Sequence, residues 1–483
     1  MAILRIIFIF SLIFSLKLSQ EINSTLRWTF GLINHGARSP HKNLDENFKD
    51  FSGHSWIGLN ELTGVGLRQS FLVGYRDRLR YIEEKRLISE EYDPREILVY
   101  ASENNRTLMS ANALLHGLYP PGTGPTIDPS LVDRAVPPVN SSYYEVEKDR
   151  LDQCDYTALP DKMNLIPVHI NFAHEYFTQY ESSKKCPRLK KKEEDNQKRE
   201  EVNSLLKNAE SKYKNLEKIF NTQKDLKDYE FAYTFFDTLY CLYHEAEEEF
   251  DAIIEKLDMT GKKNEVIKDC QNFLEFNTVG NNTHDKDNDI DFIDYLVSPL
   301  FHKILHFMEL VIEKDKNGEI DYKGYDLPRY YLISAVANTC GSFMAFMNKN
   351  FKTKINFIDF ATNIHLELYL EDKENGTISE SDYRVEYYFN DEFLLSIPFV
   401  DFKKAIGELK YNQTEVKNFC NEEMEDMDMV QNWYIIWAFV GLGIILILLV
   451  AIIIVIRKRK LSDKEGEIDG ENQPLVRDTQ ISS

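Results

Sequence analysis

The fold is decided by residues 34–40, Asn34-His-Gly-Ala-Arg-Ser-Pro40, which directly follow a strand-like run of sequence. Residues 27–33 are rich in aromatic and β-branched side chains, as is typical of a strand, and a polar loop containing Gly and Pro ends it. Open α/β sheets place their ligands at the carboxyl ends of such strands. His35 can supply a nitrogen nucleophile there, and Arg38 can hold an anionic oxygen.

A second short strand is expected at residues 97–101, and the sequence after it opens a helix. Arg106 therefore lies beside the free N–H groups of a helix start, which is a favourable position for phosphate. On these residues alone, a structural histidine and a surface arginine remain the alternatives. The two loops together predict an anion site at one edge of a sheet.

The rest of the chain predicts an α/β sheet interrupted by a helical lobe. Helical spacing of apolar residues covers about 62–87 and 108–118, and about 188–310 is mostly helical. Further strands are expected at 166–172, 330–335, 364–370, 383–389 and 393–397, with a helix at 341–348. Strands and helices on both sides of a helical middle favour a doubly wound sheet with an inserted lobe.

The two ends of the chain predict a membrane-anchored protein. Residues 1–20 have the charge and apolar run of a signal peptide, with an uncleaved anchor as the alternative. Residues 433–456 contain no charged side chain, and a run of this length is long enough for a transmembrane helix. Four basic residues follow it. Basic residues stay on the cytoplasmic side, so residues 21–430 form the ectodomain of a type I protein and 457–483 its cytoplasmic tail.

The charge of the chain limits its binding partners. The 483 residues include 57 basic and 79 acidic side chains, a net charge of −22. Such an acidic protein is not a general nucleic-acid binder, which needs a basic surface. An acidic surface also repels phosphate at long range, so phosphate binding has to depend on a few local groups.

The predicted ectodomain carries the marks of an oxidising, secretory compartment. Asn-x-Ser/Thr sequons begin at Asn23, Asn105, Asn140, Asn281, Asn375 and Asn412, all before the apolar segment. The six cysteines also precede it: Cys154, Cys186, Cys241, Cys270, Cys340 and Cys420. Structural disulfides are favoured over a metal site, because no CxxC pair or His/Cys cluster is present.

Taken together, these motifs resemble the histidine acid phosphatase family, which is branch 2 of the histidine phosphatase superfamily. The first motif of the family, Arg-His-Gly-x-Arg-x-Pro, corresponds to residues 34–40. The resemblance spans about 27–420 and is closest to the lysosomal and prostatic type. Further stretches similar to the family are 62–69, 106–111, 117–121, 166–169, 186–188 and 237–241. It implies a phosphoglycerate-mutase-like fold.

The resemblance also implies a mechanism without a metal or a cofactor. His35 would attack phosphorus and form a phosphohistidine, while Arg38 and Arg106 would grip the phosphoryl oxygens. The expected ligand is a phosphomonoester or phosphate.

Three groups that the resemblance leads us to expect are missing. Asn34 replaces the Arg before the nucleophile, and Val336 and Ala337 replace a distal His-Asp pair that binds phosphate and protonates the leaving alcohol. Valine and alanine can do neither. We therefore expect weak or absent hydrolysis, a pseudophosphatase, with Glu103 as a candidate substitute acid. The alternative is an active acid phosphatase that acts through His35.

The resemblance bears on the cysteines and the location as well. It pairs Cys186 with Cys420, and it leaves Cys241 to pair elsewhere, with Cys270 or Cys340 as candidates. Residues 471–476 are similar to an acidic dileucine-type sorting signal, with an ordinary flexible tail as the alternative. The expected location is the lysosomal or endosomal membrane or the cell surface.

Overall fold

The computed structural model describes the greater part of the predicted ectodomain. The described residues are 24–42, 54–135, 156–170, 194–195, 197–214, 216, 219, 225–278, 292–319, 327–371, 377–409, 437, 442–444 and 446–457. The predicted signal peptide, the tail beyond residue 457 and the proposed Cys186–Cys420 pair lie outside these residues.

One mixed sheet of six strands organises the described residues. Its strands are β1 (Ser24–Asn34), β2 (Ile97–Ala101), β3 (Tyr330–Ala335), β4 (Asn363–Glu371), β5 (Tyr383–Phe389) and β6 (Glu392–Pro398). The spatial order is β2-β3-β1-β4-β5-β6. The first three strands are parallel to one another, and β4, β5 and β6 join by antiparallel pairing. The strands predicted at 27–33, 97–101, 330–335, 364–370, 383–389 and 393–397 are confirmed.

Helices surround the sheet and form the lobe between its strands. They are α1 (Gly64–Asp77), α2 (Asn105–Leu118), α3 (Glu200–Lys212), α4 (Tyr229–Glu245), α5 (Glu247–Lys256), α6 (Lys263–Thr278), α7 (Phe292–Lys316), α8 (Ala337–Phe351) and α9 (Phe399–Gly407). A π-helical segment, Arg78–Glu84, continues α1.

Both faces of the sheet are covered, because side chains of a strand alternate between the two faces. On one face, Phe30 of β1 packs against Phe343 of α8, and Phe343 stacks on Phe301 of α7 at 4.7 Å. On the other face, Ile33 of β1 and Leu332 of β3 belong to a core that includes residues of α2. The α/β class with helices on both faces is therefore confirmed.

Helices α3 to α6 have a hydrophobic core of their own. Helix α3 contributes Val202, Leu206 and Ala209 to this core, at helical spacing on one buried face. Phe236 of α4 stacks on Phe273 of α6 with ring centroids 4.3 Å apart. The insertion is thus a lobe that buries its apolar stripes internally.

Two expectations about local structure are wrong. No strand ladder forms in the described part of 166–172, where His169 makes only an isolated bridge with Tyr100. Pro167 has no N–H to donate to a ladder, which accounts for the interruption. Helix α8 begins at Ala337 and not at Gly341, because the chain turns into the helix directly after β3, with Val336 as the extended N-cap.

Among the described residues, no helix combines the length and the apolar character that crossing a membrane requires.

Candidate functional site

The candidate site lies where the carboxyl ends of β1 and β3 meet. The two strands are parallel and in register, so that Asn34 is opposite Ala335. The backbone N–H of His35 donates to the Ala335 carbonyl at 3.3 Å, and Val336 follows at once. The pairing therefore brings Asn34 and His35 next to Ala335, which directly precedes Val336.

The loop after β1 is held between α1 and α2. The N–H of Gly36 donates to Ser110 Oγ of α2 at 3.1 Å, and the N–H of Ala37 donates to Gln69 Oε1 of α1 at 2.8 Å. A Cβ atom on Gly36 would lie 2.2 Å from the Gly66 carbonyl oxygen, so only glycine fits there. A Cβ atom on Gly66 would in turn lie 2.1 Å from the Ala37 carbonyl oxygen, so glycine is needed at both positions.

His35 is buried in a form suited to nucleophilic attack. Only 4% of it is exposed, and its Nδ1 lies 2.9 Å from the Gly36 carbonyl oxygen. A carbonyl oxygen only accepts, so Nδ1 carries the proton and Nε2 keeps a lone pair in the neutral ring. Burial, and then the positive charges of Arg106 and Arg38, hold the pKa of His35 well below its usual range.

Arg38 is bound to an aspartate of the helical lobe, which the sequence motifs did not identify as a site residue. Its Nη1 and Nη2 donate to Asp237 Oδ2 and Oδ1 at 3.1 and 2.8 Å. Both side chains are buried, and although burial alone would lower the pKa of Arg38, Asp237 raises it. Asp237 lies in the stretch 237–241, whose similarity to the family was the only signal for it. It neutralises part of the positive charge of the site.

Arg106 lies in the first turn of α2, as predicted. Its Nη1 is 3.3 Å from Asn104 Oδ1, and the side chain is half-buried. Its charge acts on His35 and also on His41, whose pKa is lowered by burial first and then by Arg38. The two arginines and His35 therefore belong to one electrostatic environment.

Asn34 is turned toward the loop before β4. Its Nδ2 donates to the Asp359 carbonyl at 2.8 Å, and only 2% of the residue is exposed. Its Oδ1 is buried, and no described group donates a hydrogen bond to it. The next residue in that loop, Phe360, places its ring 5.9 Å from the His35 ring and under Arg38. Neither Asp359 nor Phe360 was predicted, because each lies more than 300 positions along the chain from residue 34.

The positions of the expected His-Asp pair are occupied by apolar side chains. Val336 and Ala337 are half-buried at the start of α8, directly beside the end of β1. Glu103, the candidate substitute acid, is exposed in the loop between β2 and α2. No group of three or more His, Cys, Asp or Glu side chains among the described residues is arranged to hold a metal ion.

The expected disulfide of Cys241 is wrong. Cys241 and Cys270 are buried free thiols, so Cys241 is bonded neither to Cys270 nor to Cys340. The Sγ of Cys241 lies 3.6 Å from Arg38 Nη1. Burial raises the pKa of both thiols well above the usual value, which keeps them protonated and unreactive.

Comparison with known proteins identifies relatives of this chain by sequence. Residues 25–258 match the model of the histidine phosphatase superfamily, branch 2. The lysosomal acid phosphatase of Xenopus laevis is 31% identical over 155 residues, 31% of this chain and 35% of that protein. Lysophosphatidic acid phosphatase type 6 of Mus musculus is 29% identical over 100 residues, 20% of this chain and 24% of that protein.

The similarity to curated relatives is partial, whereas the similarity of fold is extensive. The chain spans between about a fifth and two fifths of the length of the curated relatives it matches. Among solved structures, the phytase from Citrobacter braakii has a TM-score of 0.50 at 12% identity, over 80% of this chain and 98% of that one. At this identity the likeness concerns the fold alone.

Proposed function

Because the chain belongs to branch 2 of the histidine phosphatase superfamily, as a histidine acid phosphatase homologue, we propose that it binds phosphomonoesters and hydrolyses them weakly or not at all. The observation that carries this proposal is the buried, neutral His35 in the field of two arginines. Val336 and Ala337 stand at the positions for which the resemblance predicts the phosphate-binding His and the proton-donating Asp.

In this proposal, His35 is the nucleophile position and the arginines bind the phosphoryl oxygens. Nε2 of His35 holds the lone pair, and the lowered pKa keeps this nitrogen unprotonated at pH values below the usual histidine pKa of 6.5. Arg38 and Arg106 supply positive charge for charge-assisted hydrogen bonds to those oxygens.

Two features lower the expected rate. A missing general acid typically costs about 10² to 10⁴ in rate, and Ala337 cannot protonate a leaving alcohol. One missing oxyanion donor costs about 10² to 10³, and position 34 carries an amide in place of a guanidinium. Phenols leave without an acid far more easily than alkanols do, so the residual activity is expected on aryl phosphates.

The second candidate is a working acid phosphatase, and the state of His35 favours it. A neutral imidazole with a free Nε2 beside two arginines is what phosphoryl transfer to nitrogen needs. This candidate requires another proton donor, for which we propose Glu103, exposed beside the start of α2. It predicts turnover of alkyl phosphates as well.

Turnover of matched substrates separates the two candidates. We would assay the full-length chain on an aryl and an alkyl phosphate from acidic to neutral pH, beside His35→Ala. We expect slow aryl turnover that His35→Ala removes, and little alkyl turnover. Robust wild-type turnover of the alkyl phosphate that depends on His35 would contradict weak hydrolysis, and its loss in Glu103→Gln would identify the acid.

Restoring the missing pair tests the cause of the weakness. We expect Val336→His with Ala337→Asp to raise alkyl phosphate turnover by about 10² or more. The matched control is Val336→His with Ala337→Asn, which has the same size and no acidic proton. If both double variants behave alike, Ala337 is not the position of the missing acid.

We further propose that the protein is a glycosylated, single-pass type I membrane protein of lysosomes, endosomes or the cell surface. The support is the uncharged run 433–456 followed by four basic residues, and the sequons that precede it. The proposed boundaries are 1–20 for the signal peptide, 21–430 for the ectodomain with a lobe at about 188–310, and 457–483 for the tail. Similarity to lysosomal acid phosphatases agrees with this location.

A further inference from the structure

The loop before β4 holds the backbone of the proposed nucleophile. The N–H of Asn34 donates to the Thr362 carbonyl at 2.8 Å, and the N–H of Ala361 donates to the His35 carbonyl at 2.9 Å. The Asn34 side chain adds a third hydrogen bond, from Nδ2 to the Asp359 carbonyl. The position of His35 therefore depends on the shape of this loop.

The end of the loop has a backbone that its surroundings have to impose. Ala361 has a φ of 54°, in the left-handed region that glycine adopts without strain and alanine does not. Such a conformation persists only where neighbouring contacts hold it. Asp359 makes contacts of this kind, because its Oδ1 accepts from the N–H of Phe360 at 2.7 Å and its own N–H donates to Thr362 Oγ1 at 3.0 Å. The turn is thus built around Asp359.

The helical lobe holds Asp359 through Tyr240 of α4. The phenol of Tyr240 donates its hydrogen to Asp359 Oδ1 at 2.7 Å, and only 2% of Tyr240 is exposed. A hydrogen bond to a carboxylate is charge-assisted and therefore among the stronger ones in a protein. The rings of Tyr240 and Phe360 lie 5.6 Å apart, and the Phe360 ring lies 5.9 Å from the His35 ring. The buried phenol thus ties the lobe to the loop that holds His35.

Tyr240 lies on the face of α4 that also binds Arg38. Residues 237, 240, 241 and 244 follow one another at helical spacing, so their side chains share one face of the helix. Asp237 accepts two hydrogen bonds from Arg38, and Tyr240 donates to Asp359 one turn later. One helix face therefore holds both an arginine of the site and the loop behind the nucleophile.

Resting on the proposed function, we infer that Tyr240 is a positioning residue that sets the approach of His35 to a phosphoryl group bound by Arg38. It acts through Asp359 and the loop before β4, and it touches no ligand. Without its hydroxyl the loop shifts relative to α4, so Nε2 of His35 loses its alignment while the arginines keep their charge. The helical lobe is in this sense a support of the nucleophile.

Vanadate and phosphate are a pair of probes that separates alignment from anion binding. Both are tetrahedral oxyanions that the arginines can bind. Vanadium also accepts a fifth ligand, so the Nε2 lone pair of an aligned histidine adds to it, with a V–N bond formed and no bond broken. This adduct has the geometry of phosphoryl transfer, and analogues of a transition state bind at least about 10²-fold tighter than substrates. The ratio of the two affinities therefore reports the alignment of His35 even where nothing is hydrolysed.

The experiment is calorimetric titration of both anions into the full-length wild-type chain and into full-length Tyr240→Phe, at neutral pH. Burial lowers the pKa values of His41 and His244 beside the site, so both rings stay uncharged at this pH. We expect the wild type to bind vanadate about 10²-fold tighter than phosphate. We expect Tyr240→Phe to lower this preference about tenfold, with the affinity for phosphate nearly unchanged.

Two further variants separate positioning from a loss of stability. Tyr213→Phe is the matched control, because Tyr213 is a buried phenol of the lobe that donates to a carboxylate of the lobe, Asp269 Oδ2, at 2.6 Å. It should keep the wild-type preference for vanadate. Asp359→Ala removes the other partner of Tyr240 and carries the same prediction as Tyr240→Phe, and the double variant should go no lower. Tyr240 also has a hydrogen bond with Gln271, which Asp359→Ala leaves in place.

The outcomes distinguish this inference from the proposed function. An unchanged preference for vanadate in well-folded Tyr240→Phe overturns the inference, and so does an equal loss in Tyr213→Phe. A wild type that binds both anions with similar affinity overturns it as well, because His35 is then not aligned, and this result needs no variant. If the wild type binds neither anion, the proposed phosphomonoester site itself is refuted.

Discussion

Replacing Asp237 by Asn tests whether the helical lobe holds Arg38 in the site. The carboxylate of Asp237 accepts two hydrogen bonds from Arg38 and one, at 2.8 Å, from the backbone N–H of His41. An Asn side chain keeps one acceptor oxygen and turns an NH₂ group toward the remaining donors. The variant therefore loses the charge and at least one hydrogen bond, at nearly unchanged volume.

The expected cost is large because both partners are buried. The side chains of Arg38 and Asp237 are 10% and 1% exposed, so water cannot replace the lost carboxylate. Removing one partner of a buried ion pair destabilises a protein by about 3–5 kcal/mol. Because Asn retains part of the hydrogen bonding, we expect the lower end of that range, about 3 kcal/mol.

The measurement is urea unfolding of the full-length chain, followed by tryptophan fluorescence and circular dichroism. The matched control is Glu230→Gln on the same helix, because Glu230 pairs with Lys42 at the surface, where both side chains are more than half exposed. Exposed pairs contribute little, so this variant should unfold at nearly the wild-type urea concentration. If Asp237→Asn is as stable as Glu230→Gln, Asp237 does not anchor Arg38 as described.

Three further predictions concern stability. Gly36→Ala should unfold or severely destabilise the protein, because the new Cβ would lie 2.2 Å from a backbone oxygen. The control variant Gly64→Ala, with nothing within 4 Å of its Cβ, should have the same urea midpoint as the wild type. Glu367→Gln should cost about 3–5 kcal/mol in the same assay, because this fully buried carboxylate accepts two hydrogen bonds from Arg80, at 2.5 and 2.6 Å; wild-type stability would contradict this. Burial alone would raise the pKa of Asp77, but its hydrogen-bonding and charged partners lower this pKa below 3.8. The stabilising contribution of the Asp77 carboxylate is therefore present above that pH and is lost as the pH falls further. Asp77→Asn should flatten the acid unfolding curve in this range, and an unchanged curve would refute this.

The sequence predicts the sheet well because its strands are encoded locally. Residues 97–101 and 330–335 were expected as strands with the bounds they have, since each is a short apolar run. Local pattern failed at 166–172, where a proline interrupts an otherwise strand-like composition. The edge at which the candidate site lies was predicted from the rule that ligands lie at the carboxyl ends of parallel strands.

The partners of the site residues could not be predicted, because they come from distant parts of the chain. Arg38 meets Asp237 across 199 positions, and Asn34 meets Asp359 across 325. Neither contact follows from spacing or periodicity, since each depends on how the lobe and the loop before β4 pack against β1. The cysteine expectation failed for the same reason: the side chain of Cys241 is packed beside Arg38.

The central claim is that His35, Arg38 and Arg106 form an anion site. Its most direct test is calorimetric titration of inorganic phosphate into the full-length wild-type chain and into the full-length Arg106→Ala variant. Arg106 lies in the first turn of α2, where its loss should leave the fold intact. A hydrogen bond to a charged group contributes about 1.5–3 kcal/mol, so we predict that the variant binds phosphate about 10- to 150-fold more weakly. Equal affinity of the two proteins for phosphate, or no binding by the wild type, would contradict the claim.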